Sequence, residues 1–483
     1  MRAGLLKFSV VVILLGMLWS SEVWAEEKSV TSVGTDGETQ PSEEKTIQVS
    51  QREWLAIQSD LSEIKNQMKK EKEKADQKKK EDEEKKFHSP QTKLGGQILW
   101  DACGGWGDTA QEAAWGNDFA SGTQCRQAWL WARGTIYDMI EYNLTYDFAG
   151  GGAFRDVYIG LKNLPNGIYV KAGHFKEPWS MEELTMVNSS TFMEKSDVNS
   201  RKSFVGGRQN GLMLCNWETM DRLGWAVGVF SASQKDGSLN SFYSDATHMA
   251  VTTRVHYLPF YEQCPDGRLY MWHLGASYTY RKYDREHAAD YGTAMSFRPA
   301  SGIAPAILNT GNLTGLDSLN GFLMETSWIR GSFSIDAEQA FYFMEDVQAG
   351  DVTTQAGFVQ ASWILTGESR NYVKQGGWFG KITPNNPFIR TCKEGMGVFS
   401  GPGAWELCYR FSWNDIGELV PGYDSASTKL GKSFINTIGL NWYWNKNARI
   451  MFNYAVAKTE YAGRLAGTEG WTNLFETRFQ VTF

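Results

Sequence analysis

The sequence predicts an all-β fold: a sixteen-stranded antiparallel transmembrane β-barrel, preceded by a signal peptide and a short helical coiled-coil segment. Three observations carry this expectation. The chain begins like an exported protein, it ends on a strand with one apolar face, and the pattern of that strand recurs back to residue 93.

The last stretch reads TNLFETRFQVTF. Phe475, Thr477, Phe479, Val481 and Phe483 share one parity, and Glu476, Arg478, Gln480 and Thr482 the other. Alternate side chains of a strand point to opposite faces, so one face is apolar and the other charged. In a membrane barrel the first meets lipid and the second lines the lumen. An aromatic last residue such as Phe483 is itself a feature of outer-membrane barrels.

At the other end, residues 1–25 read as a secretory signal. Arg2 and Lys7 make a basic start, Phe8 to Trp19 is an apolar run broken only by Ser9 and Gly16, and Val23 and Ala25 precede a cleavage point. Neither this run nor any later one reaches the ~20 residues a membrane helix needs, so insertion has to use strands. Residues 26–46 form a polar linker. In 47–90 the period changes: Ile47, Trp54, Ile57, Leu61, Ile64 and Met68 follow a heptad seam, with Ser50 at one position. Such a seam calls for self-association, and the Lys/Glu run over 69–86 reads as a solvated helical tether. The tether offers contact with the periplasm or cell wall.

From residue 93 aromatics and Gly become dense and charge sparse. Alternation is clear in Trp405, Leu407, Tyr409, Phe411 and Trp413, and in Ile438, Leu440, Trp442 and Trp444. Sixteen segments follow, near 93–101, 127–137, 138–148, 154–163, 167–176, 207–217, 221–233, 246–260, 268–283, 317–330, 332–346, 353–366, 403–413, 433–444, 448–459 and 472–483. An even count brings both barrel ends to one side. Tight turns such as Tyr137–Asp138 and Arg330–Gly331 are then periplasmic, and the long connections 102–126, 177–206 and 284–316 external. Connection 367–402 is long yet falls on the periplasmic side.

Exported cysteines favour oxidised pairs, and Cys103 with Cys125 in the first external loop make a plausible disulfide. Metal-ligand spacing is absent, and His248 with His256 read as two wall or surface histidines. GxSxG and HExxH are absent too, so nothing points to an enzyme, a cofactor or a nucleic-acid partner.

Four stretches resemble one family: DVYIGLKNLPNGIYVKAGHFKEPWSMEELT with TFMEKS (156–196), FVQASWILTGESRNY (358–372), GAWELCYRFSWNDI (403–416) and GLNWYWNKNARIMFNYAVA (439–457). They are similar to the phosphate-selective porins O and P, in colinear order over residues 93–483. The resemblance implies a homotrimeric barrel in outer-membrane lipid, passing small inorganic anions, with two external loops and a long periplasmic turn folded inward. Local charge fits that implication. Between Glu368 and Glu394 stand Arg370, Lys374, Lys381, Arg390 and Lys393 with no acid. The third external loop adds Lys195, Arg201, Lys202 and Arg208, and the fifth adds Arg298. These are the candidate constriction residues, because one sign of charge in a narrow path concentrates the opposite ion.

By parity Lys171, Arg254, Arg281, Arg410, Arg449 and Arg478 form the lumen wall, alongside Asp156, Glu325, Asp336, Glu338, Glu406 and Glu476. Glu406 and Arg410, four apart on one face, are expected to brace each other. One departure from the family stands out: adjacent arginines of the second strand are replaced by Arg126, Gln127, Ala128 and Trp129. It counts against an unbroken arginine ladder. The competing expectation is an unspecific structural porin that tethers the outer membrane through its coiled coil.

Overall fold

The protein is described by a computed structural model, over residues 51–88, 90–115, 121–199, 205, 207–231, 249–283, 294–388 and 401–483. The expected signal peptide, the linker and residues 47–50 lie outside the described residues, as do Arg201, Lys202, His248, Ile389, Arg390, Cys392 and Lys393.

Helix α1 (Gln51–His88) carries the heptad seam and the Lys/Glu run. At about 1.5 Å per residue it is roughly 57 Å long. Every side chain described on it, Met68 included, is exposed.

Sixteen antiparallel strands close into a barrel. They are β1 (Gln91–Gly107), β2 (Gly122–Ile136), β3 (Ile140–Asp147), β4 (Ala153–Leu161), β5 (Tyr169–Lys176), β6 (Arg208–Cys215), β7 (Leu223–Ser231) and β8 (Met249–Gln263). There follow β9 (Leu269–Lys282), β10 (Leu316–Arg330), β11 (Phe333–Asp346), β12 (Gly350–Ile364), β13 (Ala404–Asp415), β14 (Gly431–Asn445), β15 (Ala448–Tyr461) and β16 (Glu469–Thr482). Each pairs with its neighbours in sequence, and β1 pairs with β16 from Gln97↔Thr482 to Gly107↔Thr472.

Alternation sorts the two faces. Ile98, Ile159, Leu212, Phe322, Leu407, Ile438 and Phe479 point outward and are exposed. Their in-facing neighbours, among them Gln97, Thr252, Glu406, Thr437 and Arg478, are buried. That is the lipid-out, polar-in order of a membrane barrel. Tyr137 and Asp138 at the β2–β3 turn both take positive φ, 52° and 51°, as a two-residue hairpin turn requires.

One expected loop is wrong. The first external connection is shorter than 102–126, because β1 runs on to Gly107 and β2 begins at Gly122. Cys103 and Cys125 are therefore ladder residues, opposite Gly122 and Trp100 respectively, and both are free thiols. Three rungs of about 3.3 Å separate them along the ladder, too far for a disulfide.

The barrel closes on its last residue. Phe483 and Gly96 exchange both backbone hydrogen bonds, at 2.9 and 3.0 Å. A Cβ on Gly96 would stand 2.4 Å from the Phe483 ring and 2.6 Å from the Trp129 carbonyl, so only glycine lets the ring lie on β1. Gly96→Val and removal of Phe483 are both expected to lower the yield of heat-modifiable, folded barrel on gels. Deletion of residues 26–90 should leave that yield unchanged.

Candidate functional site: an inturned loop and a lysine pair

Among the described residues, three connections enter the lumen. The first is the external loop between β5 and β6. It begins with Glu177, which takes a hydrogen bond from Arg281, and turns through a short helix α2 (Met181–Leu184). The start of α2 is fixed by two wall carboxylates. Ser180 Oγ and the Glu182 N–H donate to Glu338 (2.6 and 2.7 Å), and the Met181 N–H donates to Glu325 (2.7 Å). Backbone N–H groups at a helix start lack partners within the helix, and the two glutamates supply them.

Beyond α2 the loop crosses to the opposite wall, where arginines bind its carbonyls. Arg449 donates to Val187 O (2.9 Å) and Ser190 O (2.8 Å). Arg410 donates to Glu194 O (3.1 Å) and pairs with Glu182 (3.3 Å). Arg478 binds Met193 O, Asp101 (2.7 Å) and Glu194 (2.8 Å). Glu194 also receives Arg126 at 2.7 Å. These wall guanidiniums are nearly sealed: Arg410 is 1% exposed, Arg478 0% and Arg449 3%. The expected Glu406–Arg410 brace is absent. Arg410 reaches to the loop instead, and Glu406 accepts from Asn441 (2.7 Å) and Tyr443 (2.6 Å).

The second connection is external, between β9 and β10. Ala304 and Ile307 pack against Ile435, Ala455, Ala457 and Leu474 of the far wall. Arg298 is exposed and donates to Gly302 O at 2.6 Å.

The third connection is the periplasmic strap between β12 and β13. Its Phe379 and Ile382 are buried, and Trp378 meets Trp217 edge-on at 5.3 Å. Phe388 leaves the barrel and packs on the out-facing Trp442 and Trp444. Arg370 is buried, paired with Asp336 (3.2 Å), bonded to Thr191 and laid over the Phe379 ring (3.9 Å). Lys374 pairs with Asp221 (2.7 Å), and Lys381 donates to Thr482 Oγ1 (2.6 Å). Among the described strap cations, Arg370 and Lys374 have thus found acids elsewhere in the chain, while Lys381 meets a hydroxyl with Arg133, Arg449 and Lys446 as its charged neighbours.

A second group of positive charges gathers along β4, β5 and β6. Lys176, the last residue of β5, and Lys195 of the inturned loop both donate to the Glu183 carbonyl. Two ammonium groups on one oxygen stand within about 6 Å of each other and repel. Lys195 pairs with the Glu183 carboxylate, and Lys176 lies 3.7 Å from it. Burial would raise the Glu183 carboxyl, but Lys195 and Lys176 overcome it and hold the group below the usual carboxylate range. Farther along the loop Asp197 goes the other way: burial pushes it up to about 6, against the Asn414 amide that donates to it.

Arg208 pairs with Asp156 at 2.8 Å and lies over Trp129, which also carries Arg155. Lys171 rests its ammonium over the Tyr158 ring at 3.9 Å. Among the described residues Lys171, Lys176, Lys195 and Arg208 thus outnumber the carboxylates beside them, Glu183, Asp156 and Glu141. Lys176 escaped the sequence reading. Parity puts it on the face opposite Lys171, yet alternation stops fixing direction at a strand's last residue. Glu183 and Thr185, which orient it, gave no signal beyond the stretch HFKEPWSMEELT.

A closed antiparallel barrel with an apolar outside, and a polar lumen narrowed by its own connections, is an outer-membrane porin. Residues 93–483 match the family described as phosphate-selective porin O and P. The chain belongs to that family and so is an anion-selective channel of a Gram-negative outer membrane, not an enzyme. Porin O of Pseudomonas aeruginosa is 24% identical over 391 residues, 74% of this chain and 81% of that protein. Two solved structures are similar in shape. OprB of Pseudomonas putida has a TM-score of 0.49 at 10% identity, covering 81% of this chain and 94% of its own. An anion-selective porin from Comamonas acidovorans has 0.47 at 13%, covering 81% and 100%.

Arg478→Ala would strand the buried Asp101, leave Glu194 with Arg126 alone, and free the Met193 carbonyl. Breaking a buried pair from one side costs about 3–5 kcal/mol. The variant should lose its folded gel form at a markedly lower temperature than the protein itself, and its inturned loop should become open to protease.

Proposed function

We propose that this porin passes phosphate or related small anions by passive diffusion through the lumen along β4–β6, with Lys176 and Lys195 as the selecting pair. The observation that carries this reading is their convergence on one carbonyl oxygen with a single carboxylate between them. Such a pair attracts an anion able to accept from both ammoniums. Arg208 and Lys171 extend the positive side of the path, and Arg201 and Lys202, outside the described residues, belong in sequence to the same loop. At 4 Å a unit charge pair is worth about 4 kcal/mol at an effective dielectric of 20, enough for a few residues to set selectivity. The family's name supports phosphate as the cargo. Trp129, standing where adjacent arginines are expected, argues for a broader anion preference than strict phosphate selection.

A homotrimer is part of the same reading, held in part by the heptad seam of α1. Ile at seam positions disfavours dimers, and three barrels bring three amino ends together. The long exposed helix also favours a second role, as a tether between the outer membrane and the cell wall.

Replacing Lys176 and Lys195 by Gln should lower the anion-to-cation permeability ratio, most at low salt where screening is weak. The ratio is read from reversal potentials in asymmetric salt. Replacing the buried Arg370 and the rim residue Lys374 should change it less. An unchanged ratio in the Lys176→Gln/Lys195→Gln channel would leave an unspecific pore as the better account. A peptide spanning residues 47–68 should sediment as a trimer; a monomer would remove the coiled-coil role.

A further inference from the structure

The strap does not merely fill space, because the wall beneath its tip is built to receive it. Arg254 on β8 donates to Gly376 O and Gly377 O, each at 2.7 Å, while its Nε and Nη2 also bind Glu325 of β10. His256, two residues on, places Nε2 3.3 Å from Lys374 O and stacks on His273 of β9 with ring centres 5.5 Å apart. His273 in turn binds the Tyr372 hydroxyl (2.6 Å) and Glu325 (2.9 Å). Gly377 has φ +67, and a Cβ there would come within 3.0 Å of both Arg254 and His256. Four strap residues from Tyr372 to Gly377 are therefore seated in one socket of Arg254, His256, His273 and Glu325.

The seat connects to the lysine pair in few steps. Just past the tip, the Phe379 N–H donates to Thr185 Oγ1 (3.1 Å), and that hydroxyl donates to Met181 O (2.8 Å). The Thr185 carbonyl, with that of Glu183, accepts from Lys176. The periplasmic strap thus holds the segment that aims the ammonium groups.

We propose that Arg254, His256 and His273 are positioning residues of a latch, that the latched strap sets anion selectivity through Phe379 and Thr185, and that protonation of the two imidazoles releases it. The proposal rests on Lys176 and Lys195 being the selecting pair. Its logic is one of charge. The groups facing the imidazoles are Arg254 on their own wall, Glu325 from β10, Asp336 from β11, the Tyr372 hydroxyl and Lys374 carbonyl from the strap, and the Met220 thioether at 3.2 Å. Glu325 already serves Arg254 and His273, and Asp336 is paired with Arg370. The Nδ1 of His256 is buried with no acceptor, so a proton placed there brings a charge that nothing offsets. Acid would load the socket with the sign of Arg254 and push the tip out.

The direction of the effect is diagnostic. Protonating carboxylates elsewhere in a pore makes it more anion-selective, so a fall in anion preference on acidification points to the latch. Full-length porin is reconstituted in planar bilayers, and reversal potentials are compared stepwise from about pH 7.5 down to about pH 4, a span that runs through the free imidazole range and to its acid side. The anion-to-cation ratio should fall about threefold in acid as the lysine pair loses its aim. His256→Gln/His273→Gln should abolish that pH dependence. Thr185→Val, which leaves the socket intact but cuts its link to the loop, should lower the ratio throughout that span. The heat-modifiable gel form certifies that each variant is folded. A ratio that rises or stays level in acid, or a Thr185→Val channel indistinguishable from the parent, overturns the latch. A parent channel with no anion preference at the start of the span would instead overturn the reading of the lysine pair itself.

Discussion

A guanidinium sealed inside a barrel has to find acceptors, because the cost of taking it out of water is several kcal/mol if it goes unpaired. Most of this architecture follows from that constraint. The wall of β13, β15 and β16 presents Arg410, Arg449 and Arg478, and the chain supplies acceptors by bending the β5–β6 loop inward until its carbonyls and Glu194 reach them. The opposite demand is met on β10 and β11, where Glu325 and Glu338 receive the N–H groups at the start of α2. Wall and loop are each other's solvation. Neither is in its lowest-energy state without the other, so the loop is structural before it is selective.

The same pairing decides which charges act on an ion. Counted along the chain, the strap is the most basic stretch, but Arg370 is committed to Asp336 and Phe379, and Lys374 to Asp221. A cation whose field is cancelled at 3 Å does little at 6 Å. Lys176 and Lys195 differ because they share what they bind, one carbonyl and one carboxylate. On the proposed reading, selectivity is a matter of where compensation falls short, and among the described residues one such place is where β5 runs into the loop.

The barrel was readable from the sequence because lipid imposes a two-residue period on every strand, and turns such as Arg330–Gly331 interrupt it locally. The first loop was misread where Cys103, Gly104, Gly105 and Trp106 obscure the alternation of β1, so ladder residues passed for an external segment. The site was less legible, for a physical reason. Pairings such as Arg478 with Asp101, Arg370 with Asp336 and Arg254 with Gly376 join segments far apart in the chain, and no local pattern encodes them. Parity gave the face for Arg254 and Arg449 but not the partner. For Lys176, at a strand end, it gave not even the face.

The bond between Gly96 and Phe483 also fixes the order of events in the life of the chain. The two residues that complete the cylinder come from its first strand and its last, so closure carries the largest loop entropy of any pairing in the protein. Until β16 has joined β1, the sheet has two open edges, each a row of unpaired backbone donors and acceptors. An intermediate of this kind is a template for adding strands from any neighbour. Whatever escorts the chain to the membrane has those two edges to cover, and β16, arriving last, is the edge whose capture ends the vulnerable interval.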